Sequence, residues 1–181
     1  MEKLNIPDCK NFTGYKPCFS YYNCLQEGCK EQKRFGVKIL IIALEAMGSV
    51  LMTTAQLPAI KRKYPESTIY WLTLKNSADI LKNNHYIDKI FVYNFENIEI
   101  LSAINFDIIM NSDKSIKAGA IVQRLKAKEK LGFGINNNFQ IIPLNDGALY
   151  NYKLGLDDNL KFKINQKTGQ EILAETFNLE Y

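Results

Sequence analysis

Hydrophobic residues fall in short runs separated by polar segments, and strand-like and helix-like patterns alternate along the chain. Val37 to Leu44 is a nearly unbroken run of Val, Ile and Leu, which is typical of a strand buried on both faces of a parallel sheet. Further strands are predicted at Thr68 to Leu74, Lys89 to Tyr93, Phe106 to Met110 and Leu131 to Gly134. The alternation predicts an α/β fold with a Rossmann-like, doubly wound and mostly parallel sheet.

Helical spacing of apolar residues predicts a helix after most of these strands. The predicted helices are one that begins at Ser49 as N-cap, then Ser77 to Lys82, Glu96 to Ala103, Ile116 to Leu125 and Gly169 to Phe177. We expect Pro58 to kink or interrupt the first helix, and Lys126 to Lys130 to form the basic end of the fourth. Thr168 and Glu171 have the spacing of a capping box for the last helix.

Composition excludes several classes of function. The 181 residues carry 23 basic and 19 acidic side chains, a balance too weak and too scattered to indicate a nucleic-acid partner. The first turn lacks the G-x-G-x-x-G fingerprint, so we expect neither NAD nor FAD. Apolar runs are too short for a transmembrane segment, and we expect a cytoplasmic protein, with the inner face of the membrane as one location.

All four cysteines, Cys9, Cys18, Cys24 and Cys29, precede the first predicted strand. We therefore divide the chain into a cysteine-bearing arm (1–35), a Rossmann-like domain (36–150) and a C-terminal segment with a terminal helix (151–181). Because disulfides are disfavoured in the cytosol, clustered thiols indicate a metal site, with structural zinc favoured over iron. Free thiols and two disulfides remain the alternatives, since the spacing lacks the C-x2-C pairs of common zinc ribbons.

The turn after the first strand is the candidate ligand site. Gly48 lets a ligand approach the backbone closely, and the following helix directs its free N–H groups out of the carboxyl edge of the sheet. Ligands of open α/β sheets bind at that edge. Asn111, Asp113 and Lys114 end the fourth predicted strand at the same edge, although a polar turn that caps the next helix would explain the same residue types.

The order of these pieces resembles one family of enzymes. A strand is followed by a turn similar to G-D-V-L-x-T-T-P-x-L, a basic helix end, Pro and a second strand. The matching residues are Gly48, Val50, Leu51, Thr53, Thr54, Leu57, Lys61, Arg62 and Pro65. With the later segments FDIIMNSDKS and KLGFG, the sequence resembles the glycosyltransferase family of the bacterial lipopolysaccharide heptosyltransferases over about Lys38 to Gly134.

The resemblance implies one half of a two-domain GT-B-type enzyme. Members of that family have two Rossmann-like domains, of which the first mainly holds the acceptor and the second binds the nucleotide-sugar donor. We therefore expect an acceptor-side domain, with a glycan, lipid-linked or protein acceptor and a second Rossmann-like domain as partners. This chain alone is expected to show no transfer and no tight binding of a nucleotide sugar.

One departure from the family motif concerns the catalytic base. The family has Asp where this chain has Ser49, and a serine hydroxyl cannot accept a proton near pH 7 as a carboxylate does. Glu45 and Asp113 are the candidate bases in its place. Candidate substrate contacts lie around this turn and, by their place at the same edge, at the end of the fourth strand: Gly48, Ser49, Thr53, Thr54, Asn111 and Lys114.

The replacement of Asp by Ser49 also leaves a second function open. In that alternative the chain is a non-catalytic module that binds a partner or regulates assembly, with a structural metal site in its cysteine-bearing arm.

Overall fold

The computed structural model describes residues 4–19, 23–25 and 29–181. The chain divides into two compact units, Met1–Gly36 and Val37–Tyr181. The second unit contains six strands: β1 (Val37–Ile42), β2 (Ser67–Thr73), β3 (Lys89–Val92), β4 (Asn105–Asn111), β5 (Lys126–Ile135) and β6 (Ile141–Pro143).

Seven α-helices accompany the strands in the described part of the chain. They are α1 (Met47–Thr54), α2 (Leu57–Lys63), α3 (Lys75–Ala78), α4 (Phe95–Ser102), α5 (Ile116–Arg124), α6 (Gly147–Leu154) and α7 (Gly169–Thr176). A short 3-10 turn, Asp79–Leu81, extends α3, and a π-helical turn, Leu160–Ile164, lies between α6 and α7.

The strands form one sheet in the order β3-β2-β1-β4-β5-β6. Every neighbouring pair from β3 to β5 is parallel, and only β6 runs antiparallel to its neighbour β5. The strand order reverses between β1 and β4, which is the topological switch point of a Rossmann-like sheet. This topology confirms the predicted doubly wound, mostly parallel fold.

Hydrophobic layers cover both faces of the sheet, because alternate residues of the buried strands point to opposite sides. On one face Ile39 and Ile41 of β1 pack with Val50 of α1 and Phe177, which follows α7. On the other face Leu40 and its neighbours pack with residues of α4 and α5. The helices on either side therefore place the loops after β1 and β4 on opposite faces of the sheet.

Pro58 interrupts the first helix as predicted. The helical segment after β1 is divided into α1 and α2, and Pro58 lies in the first turn of α2. A proline is tolerated there because the first N–H groups of a helix have no intrahelical partner. The two helices can consequently follow different directions over the same face of the sheet.

The basic segment after α5 is a strand, so its prediction as the end of a helix is wrong. Lys126 to Lys130 form the first half of β5 and pair with β4 from Asn105 onward. Lys126, Lys128 and Glu129 are exposed, which explains why the segment carries so much charge within a sheet. Backbone pairing with β4 has determined the conformation here.

The terminal helix α7 packs on the same core as the sheet. Leu173, Ala174 and Phe177 belong to the cluster that covers β1 and β2. Its capping box is present as predicted: Glu171 N–H donates to Thr168 Oγ1 at 3.2 Å, and Thr168 N–H donates to Glu171 Oε2 at 2.6 Å. Across the described residues, no helix is both long enough and apolar enough to cross a bilayer.

Candidate functional site

The candidate site is the turn that joins β1 to α1, at the carboxyl edge of the sheet. β1 and β4 are neighbours there, and their following helices α1 and α5 lie on opposite faces. An edge where two neighbouring strands lead to helices on opposite faces is a switch point, and we call the edge between these two loops the crevice. In open α/β sheets this crevice is the usual ligand site.

The turn has an unusual backbone conformation at Ala46. This residue has φ 57° and ψ 103°, a region that side chains other than glycine rarely adopt. Helix α1 begins directly afterwards at Met47, with Ala46 as an N-cap that makes no side-chain capping bond. Such strain is typical of sites where the surrounding structure fixes the backbone for a function.

Ser49 lies inside the first turn of α1, so its prediction as the N-cap of the helix is wrong. Its backbone N–H donates to the carbonyl of Ala46 at 2.8 Å. Ala46, with its positive φ, is the N-cap instead, so the helix begins three residues earlier in the chain than a cap at Ser49 would indicate. Ser49 is exposed, and its side chain is available at the amino end of the helix.

Gly48 is exposed beside Ser49, and the fold does not require a glycine there. Its φ is not positive, and a Cβ built on it would meet no atom within 4 Å. An alanine would therefore fit, and would favour a helix by about 1 kcal/mol. Open space in front of a glycine that the fold does not need is consistent with the predicted close approach of a ligand.

Glu45 is the exposed carboxylate of this turn. Its Oε1 accepts a hydrogen bond from Lys117 Nζ at 2.8 Å, and both side chains are about half exposed. The Nζ of Lys117 also lies 5.8 Å from the ring centroid of Tyr93, at the end of β3. The hydrogen bond to Glu45 is the main cause that raises the pKa of Lys117.

Sequence reasoning did not identify Lys117 or Tyr93 as members of this site. One signal was present for Lys117, because a cation in the first turn of a helix opposes the helix dipole and needs a compensating anion. The structure supplies that anion from the turn after β1. No signal in the sequence places Tyr93 beside them, since the two residues meet only through the folding of the sheet.

Asp113 faces inward, toward the backbone of the same turn. Its Oδ2 accepts hydrogen bonds from Leu44 N–H at 2.5 Å and from Glu45 N–H at 3.3 Å, and the residue is 9% exposed. Burial raises the pKa of Asp113, although the two backbone bonds act in the opposite direction. The carboxylate thus joins the end of β4 to the end of β1 and positions Glu45.

Asn111, predicted to contact substrate, is completely buried. Its Nδ2 donates to the carbonyls of Asp113 at 3.1 Å and Phe133 at 2.7 Å, and its Oδ1 accepts from Asp113 N–H at 3.0 Å. Both amide donors are therefore used within the protein. This geometry gives the side chain a structural part at the end of β4.

The two threonines of α1 bond back to their own helix. Thr53 is 1% exposed, and its Oγ1 donates to Ser49 O at 2.8 Å. Thr54 Oγ1 donates to Leu51 O at 2.6 Å. Neither hydroxyl therefore needs a ligand to satisfy its donor.

Lys114 is directed toward α6. Its Nζ donates to the carbonyl of Asn151 and lies 5.0 Å from the ring centroid of Phe133. Burial, followed by the nearby charge of Lys161, lowers the pKa of Lys114. The predicted edge residues therefore separate: Glu45, Gly48 and Ser49 are at the surface of the crevice, whereas the residues after β4 mainly support it.

The four cysteines lie in the first compact unit, and none of them forms a disulfide. In the described ranges, no three His, Cys, Asp or Glu side chains are placed so that they could share one metal ion. The zinc site expected from the sequence, with iron as the lesser option, accordingly stays a prediction.

The chain is similar to known heptosyltransferases. It is 28% identical over 132 residues to lipopolysaccharide heptosyltransferase 1 of Campylobacter coli, covering 68% of this chain and 37% of that protein. No protein-family profile matches the chain. The chain thus spans little more than a third of the length of this curated relative.

Solved structures of glycosyltransferases share the fold. The glycosyl transferase family 9 protein of Veillonella parvula superposes with a TM-score of 0.59 at 15% identity, over 78% of this chain and 41% of that one. E. coli heptosyltransferase WaaC, solved with ADP, gives 0.50 at 19% identity, over 78% and 53%. These findings confirm the predicted resemblance: the chain is similar in sequence to a lipopolysaccharide heptosyltransferase and in fold to glycosyltransferases of that kind.

Proposed function

We propose that this chain is the acceptor-side domain of a glycosyltransferase that moves a sugar from a nucleotide-sugar donor to a glycan, lipid-linked or protein acceptor. The observation that carries the proposal is an exposed carboxylate, Glu45, in a strained turn at the switch point of the sheet. The similarity to a heptosyltransferase supports the same class of reaction. The donor would bind to a second Rossmann-like domain.

In the proposed reaction Glu45 is the general base. It would take the proton of the acceptor hydroxyl while that oxygen attacks the anomeric carbon of the donor sugar and the nucleotide diphosphate leaves. Lys117 Nζ donates a hydrogen bond to Glu45 Oε1 at 2.8 Å and thereby orients the carboxylate within the turn. The amino end of α1, at Gly48 and Ser49, would offer its N–H groups to a phosphate of donor or acceptor.

The geometry favours Glu45 over Asp113 as this base. A general base must come within hydrogen-bonding distance of the proton that it removes. Asp113 is buried and accepts two backbone N–H groups, whereas the side chain of Glu45 is half exposed. We therefore assign Asp113 a positioning part in the same site: it fixes the backbone from which Glu45 projects.

The test is transfer by the complete protein with Glu45→Gln. Glutamine keeps the size and the hydrogen bond from Lys117 but cannot accept the proton, so kcat should fall about a hundredfold or more with little change in KM. Glu129→Gln is the matched control, because Glu129 is an exposed glutamate in β5 outside the crevice. Unchanged kcat in Glu45→Gln would remove Glu45 from the mechanism.

A non-catalytic partner-binding or regulatory module is the second candidate, and Ser49 at the family's Asp position favours it. This candidate requires that the complete protein transfers no sugar from ADP- or UDP-sugars. Ser49→Asp separates the two functions. An enzyme that uses Glu45 is active without the substitution, whereas a module that has lost its base is inactive and gains transfer only when the substitution restores a carboxylate.

A further inference from the structure

The cysteine-bearing arm has almost no hydrophobic core. Among its described residues, 4–19, 23–25 and 29–36, only Cys9 is buried, at 7% exposure. Large apolar side chains of the same unit, such as Leu4, Tyr15 and Phe19, are more than half exposed. A segment of this size cannot fold on apolar burial alone, and small units normally depend on disulfides or a metal.

The two ends of the arm nevertheless lie side by side. The backbone N–H of Lys10 donates to the carbonyl of Lys33 at 2.7 Å. A cysteine opens a tight turn in each of the paired segments: the carbonyls of Cys9 and Cys29 each accept a hydrogen bond from the N–H three residues later, at 3.1 and 3.2 Å. The first and last cysteines thus each open a turn of the same kind, in segments that the hydrogen bond between Lys10 and Lys33 joins.

All four cysteines line one cavity of about 440 Å³ within this unit. Cys18 is exposed, and Cys24 and Cys29 are partly exposed, so their thiols are accessible from solvent. Arg34 lines the same cavity. Cysteine is otherwise absent from the 181 residues, so every thiol of the chain faces this one space.

We propose that Cys9, Cys18, Cys24 and Cys29 bind one structural zinc ion as four thiolates. Zinc takes four sulfur ligands in a tetrahedral arrangement, at distances of about 2.3 Å. The cavity is wider than such a site, and in the described residues no three potential ligands yet stand close enough to share an ion. Metal binding must therefore draw the sulfur atoms inward, with each thiol that becomes a ligand releasing one proton to solvent.

Zinc supplies the stabilisation that the arm lacks. Structural zinc contributes directly to the folding free energy of small units, many of which are unfolded without the metal, whereas one buried cysteine side chain contributes little. The ion is redox-inert, so the site requires no electron donor or acceptor. This inference does not depend on the proposed transfer reaction, because it concerns the stability of the arm alone.

The test is the metal content of the complete protein, expressed without added metal and measured by elemental analysis. We expect about one zinc ion per chain, released together with four titratable thiols when a mercurial reagent is added. Cys18→Ser combined with Cys24→Ser leaves two ligands, so zinc should fall about tenfold or more. Thr13→Ala, an exposed change in the same arm, is the matched control and should keep its zinc.

The thiol titration keeps the proposal testable if the double variant does not fold, since it uses the unmodified protein. Any of three results would overturn it: less than about a tenth of a zinc ion per chain, iron in place of zinc, or two disulfides in the mass of the unreduced protein. Zinc that persists in the double variant would equally show that these cysteines are not its ligands.

Discussion

Asp113 provides the sharpest test of how the site is built, because alanine and asparagine remove different parts of its interaction. Asp113→Ala removes the acceptor of two backbone N–H groups, those of the buried Leu44 and the exposed Glu45. A buried donor without a partner costs about 1–3 kcal/mol, whereas an exposed N–H can bond to water. Relief of the buried charge offsets part of this cost, so we expect a net loss of about 1–2 kcal/mol in unfolding free energy.

Asp113→Asn keeps an oxygen acceptor and removes the charge. Burial raises the pKa of Asp113, so its ionisation opposes folding. Protonated Asp113 therefore stabilises the folded state relative to the ionised form. This stabilisation is complete below the unfolded-state pKa of about 3.9 and is lost as the pH rises through the folded-state pKa. The asparagine variant keeps its stability over this pH range, because the asparagine side chain does not ionise. The unfolding free energy of Asp113→Asn minus that of the parent should therefore increase from pH 4 to pH 7.

Urea unfolding of this chain, followed by fluorescence, measures both effects. The single tryptophan, Trp71, is completely buried in β2 beside β1 and reports on the part of the sheet that Asp113 supports. Comparing variants at each pH cancels the other titrating groups. Equal stability of the alanine and asparagine variants at pH 7, or a difference between asparagine and parent that is flat with pH, would refute the reasoning.

Three other substitutions have defined expectations, each measured by the same urea unfolding. Gly132→Ala should lower the free energy of unfolding by about 3 kcal/mol or more, because Gly132 has φ 93° and a Cβ would lie 2.0 Å from the carbonyl oxygen of Asn111. A loss below about 1 kcal/mol would contradict this expectation. Ala46→Gly should stabilise by about 1 kcal/mol, since relief of strain at φ 57° exceeds the added flexibility of the unfolded chain. Thr168→Ala should lose about 1 kcal/mol by removing the cap of α7, and no change would show that the bond to Glu171 contributes little.

Much of the fold could be predicted from the sequence, because buried parallel strands have a strong local signal. β1 and β4 are nearly continuous apolar runs, and their predicted positions agree with the structure to within two residues. The interruption at Pro58 and the capping box of Thr168 were equally predictable, since both depend on neighbouring residues alone.

The first half of β5 was not predictable in the same way. Lys126 to Lys130 contain too few apolar residues to show a strand period, and they follow a helix whose carboxyl end favours cations. Pairing with β4 determines their conformation, and that partner is distant in sequence. Helix α6 was missed for a related reason: its residues show no strong helical stripe, because only Ala148 and Leu154 are buried.

The candidate site was also predictable only in part. The sequence located the edge of the sheet and the residues that reach it, since parallel strands end together. It could not indicate which side chains turn inward, because that depends on neighbouring strands. Asn111 and Asp113 read as polar edge residues, yet their partners are the backbones of β5 and of the turn after β1. Lys117 was missed because Glu45 lies 72 residues away.

Some residues of the turn after β1 and of the loop after β4 are needed for stability, whereas others are not and could contact a ligand. Asp113 is required to hold the backbone, because buried N–H groups depend on it. Gly48 and Ser49 are not required: a Cβ at Gly48 meets open space, and Ser49 is exposed and is not the N-cap of α1. Substitutions at these two positions should therefore change the free energy of unfolding little. Of the two candidate bases, Glu45 is the one that the turn presents at its surface, whereas Asp113 is buried, and this difference supports the proposed role of Glu45.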